Sequence, residues 1–70
     1  MNRSISPWGK QCKIQMLVLE KKLEDVSADT GLGRTYISAI INGRSIPPDE
    51  TYNAISASLQ VDPELPKTSA

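Results

Sequence analysis

The stretch Asp25-Val-Ser-Ala-Asp-Thr-Gly-Leu-Gly-Arg-Thr-Tyr-Ile-Ser-Ala-Ile-Ile-Asn-Gly-Arg44 decides the fold. Together with Leu23 and Glu24 ahead of it, its first part reads as a helix from Leu23 to Thr30. Val26 and either Ser27 or Ala28 turn inward on that helix. Gly31 ends it, because a residue without Cβ enters the left-handed conformation past a helix C-terminus at no steric cost. Leu32 plugs the turn. A second helix follows from Arg34 to Ile41, with Ile37 and Ile40 or Ile41 as its apolar contacts, and Asn42-Gly43 closes it. The small Ser27 lets the two helices cross closely, and Leu32 with Ile37 holds their angle by packing.

Outward from this pair the signals remain helical. Ser6-Pro7 is an N-cap followed by proline at the first helical position. Trp8, Cys12, Met16, Leu19 and Leu23 then fall within about one third of a helical wheel, which predicts a core stripe. That first helix is expected from Pro7 to Glu20 or Lys22. On the other side, Ser45-Ile46-Pro47-Pro48 is a stiff connector. Asp49 to Leu59 reads as a further helix carrying Thr51, Ile55 and Leu59 on one side, and Asp62-Pro63-Glu64-Leu65 opens one last short turn. Nothing alternates with a period of two, so strands are not expected. The predicted fold is all-α, a compact bundle of four to five short helices. A single domain spans residues 7–65, between a flexible N-terminus (1–6) and a flexible C-terminus (66–70).

The totals bound what such a domain does. At 70 residues there is room for one core only. Cys12 is the one cysteine, so no disulfide staples the chain, and a reducing cytoplasm is the expected compartment. The longest apolar run, Met16-Leu17-Val18-Leu19, is far below the roughly 20 residues of a membrane span. Eight basic and eight acidic residues give a formal charge of zero, unlike a general nucleic-acid coat. The charges are nevertheless segregated. Arg3, Lys10, Lys13, Lys21 and Lys22 crowd the first part of the chain against Glu20 alone, and Arg34 and Arg44 stand without acids between them. Glu24, Asp25 and Asp29 form a short acidic run between those basic segments. With no histidine, no second cysteine, no phosphate-binding glycine loop and no carboxylate cluster, no enzyme, metal site, cofactor or small-molecule substrate is expected.

Two helices of about eight residues joined by a short turn containing glycine make the helix-turn-helix signature, whose second helix enters the major groove of DNA. Here the chain resembles the Cro/CI-type repressor family, also called lambda-repressor-like or XRE. The resemblance is carried by Thr30-Gly31-Leu32, Tyr36-Ile37-Ser38 and Ile40 to Gly43. It continues through Pro47, Thr51, Ile55, Leu59, Val61, Pro63 and Leu65, so it covers about residues 8 to 65. It implies a bacterial or bacteriophage transcription regulator whose helix 34–41 reads double-stranded DNA. Arg34, Thr35, Ser38 and Ala39 would then face the groove. Arg34 is the best base reader, because a guanidinium pairs bidentately with guanine. Thr35 would meet a phosphate, a base edge or a thymine methyl. Asn42 and Arg44 sit where the family commonly touches phosphates, contacts that set register rather than sequence preference.

Three residues depart from the family pattern. Leu23 stands where many relatives place a glutamine that bonds a phosphate. Lys22 replaces a threonine or serine cap, a bond worth about 1 kcal/mol. Gly33 replaces a serine cap at the start of the reading helix, a loss of about a few tenths of a kcal/mol.

Other conspicuous residues have plainer roles. Trp8 and Cys12 lie on the core stripe, so packing is expected of both. Tyr36 is expected to pack half-buried with its hydroxyl in water. Ile14, Leu17 and Val18, by contrast, project away from the stripe and form a candidate protein interface, since a contiguous apolar patch usually marks one. Two functions follow. One is a Cro-like repressor, a homodimer on a palindromic operator in the cytoplasm of a bacterial host. The alternative is an antirepressor or co-repressor, forming a hetero-complex with a phage repressor through the Ile14/Leu17/Val18 patch. The protein-contact and DNA-contact surfaces are expected not to overlap.

Overall fold

The computed structural model describes residues 5–67. Among them the elements are α1 (Pro7–Val18), α2 (Leu23–Thr30), α3 (Arg34–Ile41) and α4 (Asp49–Leu59), with no strand. The all-α bundle expected from periodicity is the architecture found. α1 and α2 each pack against both α3 and α4. None of the helices is long and apolar enough to cross a membrane.

The bounds of α2, α3 and α4 are those expected. α1 is shorter, stopping at Val18 rather than at Glu20 or Lys22. Glu20 swings into the left-handed region at φ 55°. The Glu20 N–H then donates to the Leu17 carbonyl at 3.3 Å and the Lys21 N–H to the Met16 carbonyl at 2.9 Å. That paired closure satisfies carbonyls the helix would leave orphaned. No glycine or proline stands there, so the stop carries no sequence mark. α3 ends the same way at Gly43 (φ 81°), and there the glycine announces it. The segment after α4 is a turn rather than a fifth helix, with the Leu65 N–H donating to the Asp62 carbonyl at 3.2 Å.

The α2–α3 turn closes through local side chains. Gly31 takes φ 77°, the Thr30 hydroxyl donates to the Val26 carbonyl at 2.8 Å, and the Ser27 hydroxyl donates to the Leu32 carbonyl. Ser27, rather than Ala28, is therefore the inward partner of Val26. At the start of α2 the cap expected to be lost with Lys22 is partly restored from the opposite side. The Asp25 carboxylate accepts the Lys22 backbone N–H at 2.9 Å.

Trp8 sits in the centre of the core, fully buried with Cys12, Val26, Ile37, Ile55 and Leu59. Its indole N–H donates to the Ser56 hydroxyl at 2.8 Å, and its ring meets Tyr52 edge to face with centroids 5.0 Å apart. The inward face of α4 is thus Tyr52, Ile55, Ser56 and Leu59, whereas Thr51 is only half-buried. Burial pushes the Cys12 thiol up to about 12, which leaves it protonated, an apolar filler in the core.

Gly9 is buried where α1 crosses the end of α3; a Cβ there would collide with the Ile41 carbonyl and the Ile5 side chain. The orphan N–H groups of α1 are taken up from both flanks. Ser6 accepts from the Gly9 N–H at 3.1 Å, and the Trp8 N–H donates to the Pro66 carbonyl at 3.0 Å. Of the termini expected to be flexible, residues 1–4 and 68–70 lie outside the described residues.

Replacing Ser56 by alanine leaves a buried indole N–H without an acceptor, a loss of about 1–3 kcal/mol. Thermal unfolding should register this as a drop of about 4–8 °C for each kcal/mol lost in a domain of this size. A variant melting with the wild type would show that water replaces the serine.

Candidate nucleic-acid interface

α3 has two unlike faces. Ile37, Ile40 and Ile41 are buried, which fixes the helix's rotation and turns Arg34 and Thr35 of its first turn outward. Ser38, one turn further on, is half-buried. No side chain caps α3, because Gly33 has none to offer. The first-turn N–H groups therefore carry the helix's partial positive charge outward.

Arg34, Thr35 and Ser38 share one groove of about 510 Å³ with Lys22, Leu23 and Glu24 from the start of α2. Ser38 and Asn42 also wall an adjacent groove of about 480 Å³. Its opposite side is built by Lys13, Met16 and Leu17 of α1, with Lys21, Lys22 and Leu23 following. Of the six residues singled out in the sequence, Arg34, Thr35, Ser38 and Asn42 are therefore brought together. Ala39 and Arg44 line neither groove. Ala39 instead lends its carbonyl to the Arg44 and Ser45 N–H groups at 2.8 and 3.2 Å, while the Arg44 side chain is exposed just past the helix. The Asn42 amide is engaged too, donating to the Ser38 carbonyl at 2.8 Å and to the Ser38 hydroxyl at 3.3 Å.

Lys13 and Lys22 are the residues that sequence reasoning missed at this surface. Both are exposed, and both stand across a groove from α3. The surplus of lysine early in the chain was the available signal. Lys13 is placed by the close crossing of α1 over α3 at Gly9 and Lys22 by the packing of the start of α2 beside α3, neither of which a local pattern reports.

The acidic run of α2 is not uniformly free to oppose an anion. Lys21 pairs with Asp29 at 2.7 Å, and the Ser58 hydroxyl donates to the same carboxylate oxygen at 2.8 Å. The hydrogen bonds from Lys21 and Ser58 hold the Asp29 carboxyl below the usual aspartate range. Lys21 also donates to the Ser58 carbonyl at 2.7 Å, so this network ties the α1–α2 loop to α4. Glu24 remains exposed beside Arg34, Thr35 and Ser38, an acceptor within an otherwise donor-rich groove.

Ile14, Leu17 and Val18 are 50%, 80% and 64% exposed. The separation expected between this strip and the α3 surface fails at Leu17, which lines the same groove as Ser38 and Asn42. Helical spacing alone put Leu17 opposite the stripe; α3, packed alongside, brings the two surfaces together. Tyr36 is 39% exposed on the outer side of α3. Among the described residues no three His, Cys, Asp or Glu side chains gather as a metal site requires.

A helix-turn-helix family model matches residues 18–65, which takes in the end of α1 and the whole of α2, α3 and α4. No curated protein and no solved structure matches the chain.

Because the Asp29 carboxyl is held down in the folded state, its stabilisation is present above the ordinary aspartate pKa and is lost as pH falls. An Asp29→Asn variant should be less stable than the wild type near pH 7, with the gap closing in acid. Urea midpoints at the two pH values measure it. A gap that widened in acid would overturn this assignment of the network.

Proposed function

The chain belongs to the helix-turn-helix family of DNA-binding transcription regulators, of the XRE type, and on that premise we propose that it is a Cro-like repressor reading an operator with α3. The observation that carries this reading is the exposure of Arg34 and Thr35 in the first turn of α3, a helix anchored by its buried isoleucines. An eight-residue helix is about 12 Å long, short enough to lie within one major groove. Arg34 reads a guanine edge, and Thr35, Ser38 and Ala39 complete the face presented to the bases. Arg44, Asn42, Lys22 and Lys13 take phosphates on either side; Asn42 does so by releasing its amide from Ser38.

The zero net charge suits a regulator whose affinity comes from a local patch rather than a basic coat. The operator is double-stranded and palindromic, bound by a homodimer whose half-sites lie about one helical turn apart. The setting is the cytoplasm of a bacterial cell and the regulatory region of a phage or prophage.

Arg34→Ala should relax discrimination at one base pair per half-site, at a cost of about 1–3 kcal/mol, whereas Lys22→Ala should weaken all sequences alike and lower the salt slope by about one. Fluorescence anisotropy at two salt concentrations with operator and shuffled duplexes separates these outcomes. An Arg34→Ala protein with full affinity and selectivity would remove Arg34 as the reader.

The exposure of Ile14, Leu17 and Val18 favours a second reading, an antirepressor or co-repressor that engages a partner repressor. On that reading an Ile14→Asp/Val18→Asp double variant loses the hetero-complex in pull-down with the purified repressor and keeps its own helicity. Retained affinity for the repressor would exclude the strip as the contact.

A further inference from the structure

The second groove beside α3 is the wrong chemistry for DNA alone. Its floor is apolar, made by Met16, Leu23 and Ile41, and Leu17 stands 80% exposed at its mouth. A phosphate backbone would satisfy the lysines at its rim, Lys13 and Lys22, and leave that floor without a partner. The floor also continues along the outside of α1 through Ile14 and Val18, so an apolar strip crosses a basic surface.

We propose that this groove is a docking site for an acidic amphipathic helix of a partner protein, and that its occupancy excludes DNA. Charge decides between the available occupants. The exposed apolar strip that a second copy offers, Ile14, Leu17 and Val18, lies on a helix that carries Lys10 and Lys13 and no acid, so it does not complement a basic rim. A helix with leucines on one face and glutamates flanking them matches floor and rim at once, in the helix-in-groove mode. Lys21 is half withdrawn by Asp29, so Lys13 and Lys22 are the charges that choose the partner.

Exclusion of DNA follows from shared walls and rests on the DNA-binding reading above. Ser38 and Asn42 belong both to this groove and to the α3 face, and Lys22 lines both grooves. A helix lying there covers part of the reading surface. The site is thus regulatory, a place where a protein turns DNA binding off by displacement.

The test uses the full chain and a labelled synthetic peptide of about four helical turns, with leucines at i, i+3, i+4 and i+7 and glutamates around them. One control scrambles the leucines off a common face; the other replaces glutamate by lysine. Anisotropy should give the acidic amphipathic peptide at least a tenfold advantage over both controls. Amide shifts should move at Leu17, Leu23 and Ile41, and Leu17→Glu, an exposed position that folding tolerates, should lower affinity about tenfold. Added peptide should displace the operator duplex. Equal binding of the scrambled peptide, indifference to Leu17→Glu, or a homodimer that Leu17→Glu dissociates would overturn the docking site. Simultaneous binding of peptide and duplex would overturn the exclusion. Peptide binding by a wild type that binds no DNA would sink the DNA-binding reading and leave the groove standing.

Discussion

The indole of Trp8 is the contact on which the rest of the structure depends. It brings the first helix and the last together, donating to Ser56 and meeting the edge of Tyr52. A chain of 70 residues has little core to spare, so a large aromatic with a satisfied polar end carries a large share of it. Around it the chain closes on itself: Pro66 accepts from the Trp8 N–H, Lys67 lies 5.5 Å from the Tyr52 ring centre, and Gln15 donates to the end of α4 at 3.0 Å. With α1 and α4 so joined, α2 and α3 are held between fixed partners.

That rigidity gives the α3 surface its definition. The three buried isoleucines leave α3 one rotation about its axis, and Gly9 lets α1 come close enough to lay Lys13 beside it. The result is two neighbouring grooves of different character. One gathers an arginine, a threonine and a glutamate; the other has an apolar floor and a basic rim. On the proposed reading of α3 and of the apolar cleft, the two sites share walls, so their partners would compete with no conformational change needed to link them.

Electrostatics tunes the same region by subtraction. Lys21 pairs with Asp29, and Ser58 donates to the same carboxylate oxygen, so this acid of α2 is offset by one lysine. Asp25 turns its carboxylate onto the Lys22 N–H and steadies the start of α2. A formal charge of zero coexists with a locally basic surface because the charges are segregated, with Lys13, Lys22 and Arg34 gathered around the two grooves.

Local signals were enough to place the four helices, apart from where α1 ends. Gly31 and Gly43 permit left-handed closures, Ser6-Pro7 opens α1, and the spacing of Ile37, Ile40 and Ile41 marks the inner face of α3. The family resemblance in residues 30–43 added the expectation that this helix reads DNA. The end of α1 was not legible, since Glu20 adopts a conformation usually left to glycine and is held there by its own bond to Leu17 and by that of Lys21 to Met16. Nor was the inward turn of Tyr52 and Ser56, because a serine reads as a surface residue until an indole needs its oxygen. Lys13 and Lys22 beside α3, and Leu17 within its groove, were decided by tertiary structure alone. Periodicity reports which side of a helix is apolar; which neighbour that side meets depends on how the helices cross, and crossing is set by contacts far apart in sequence.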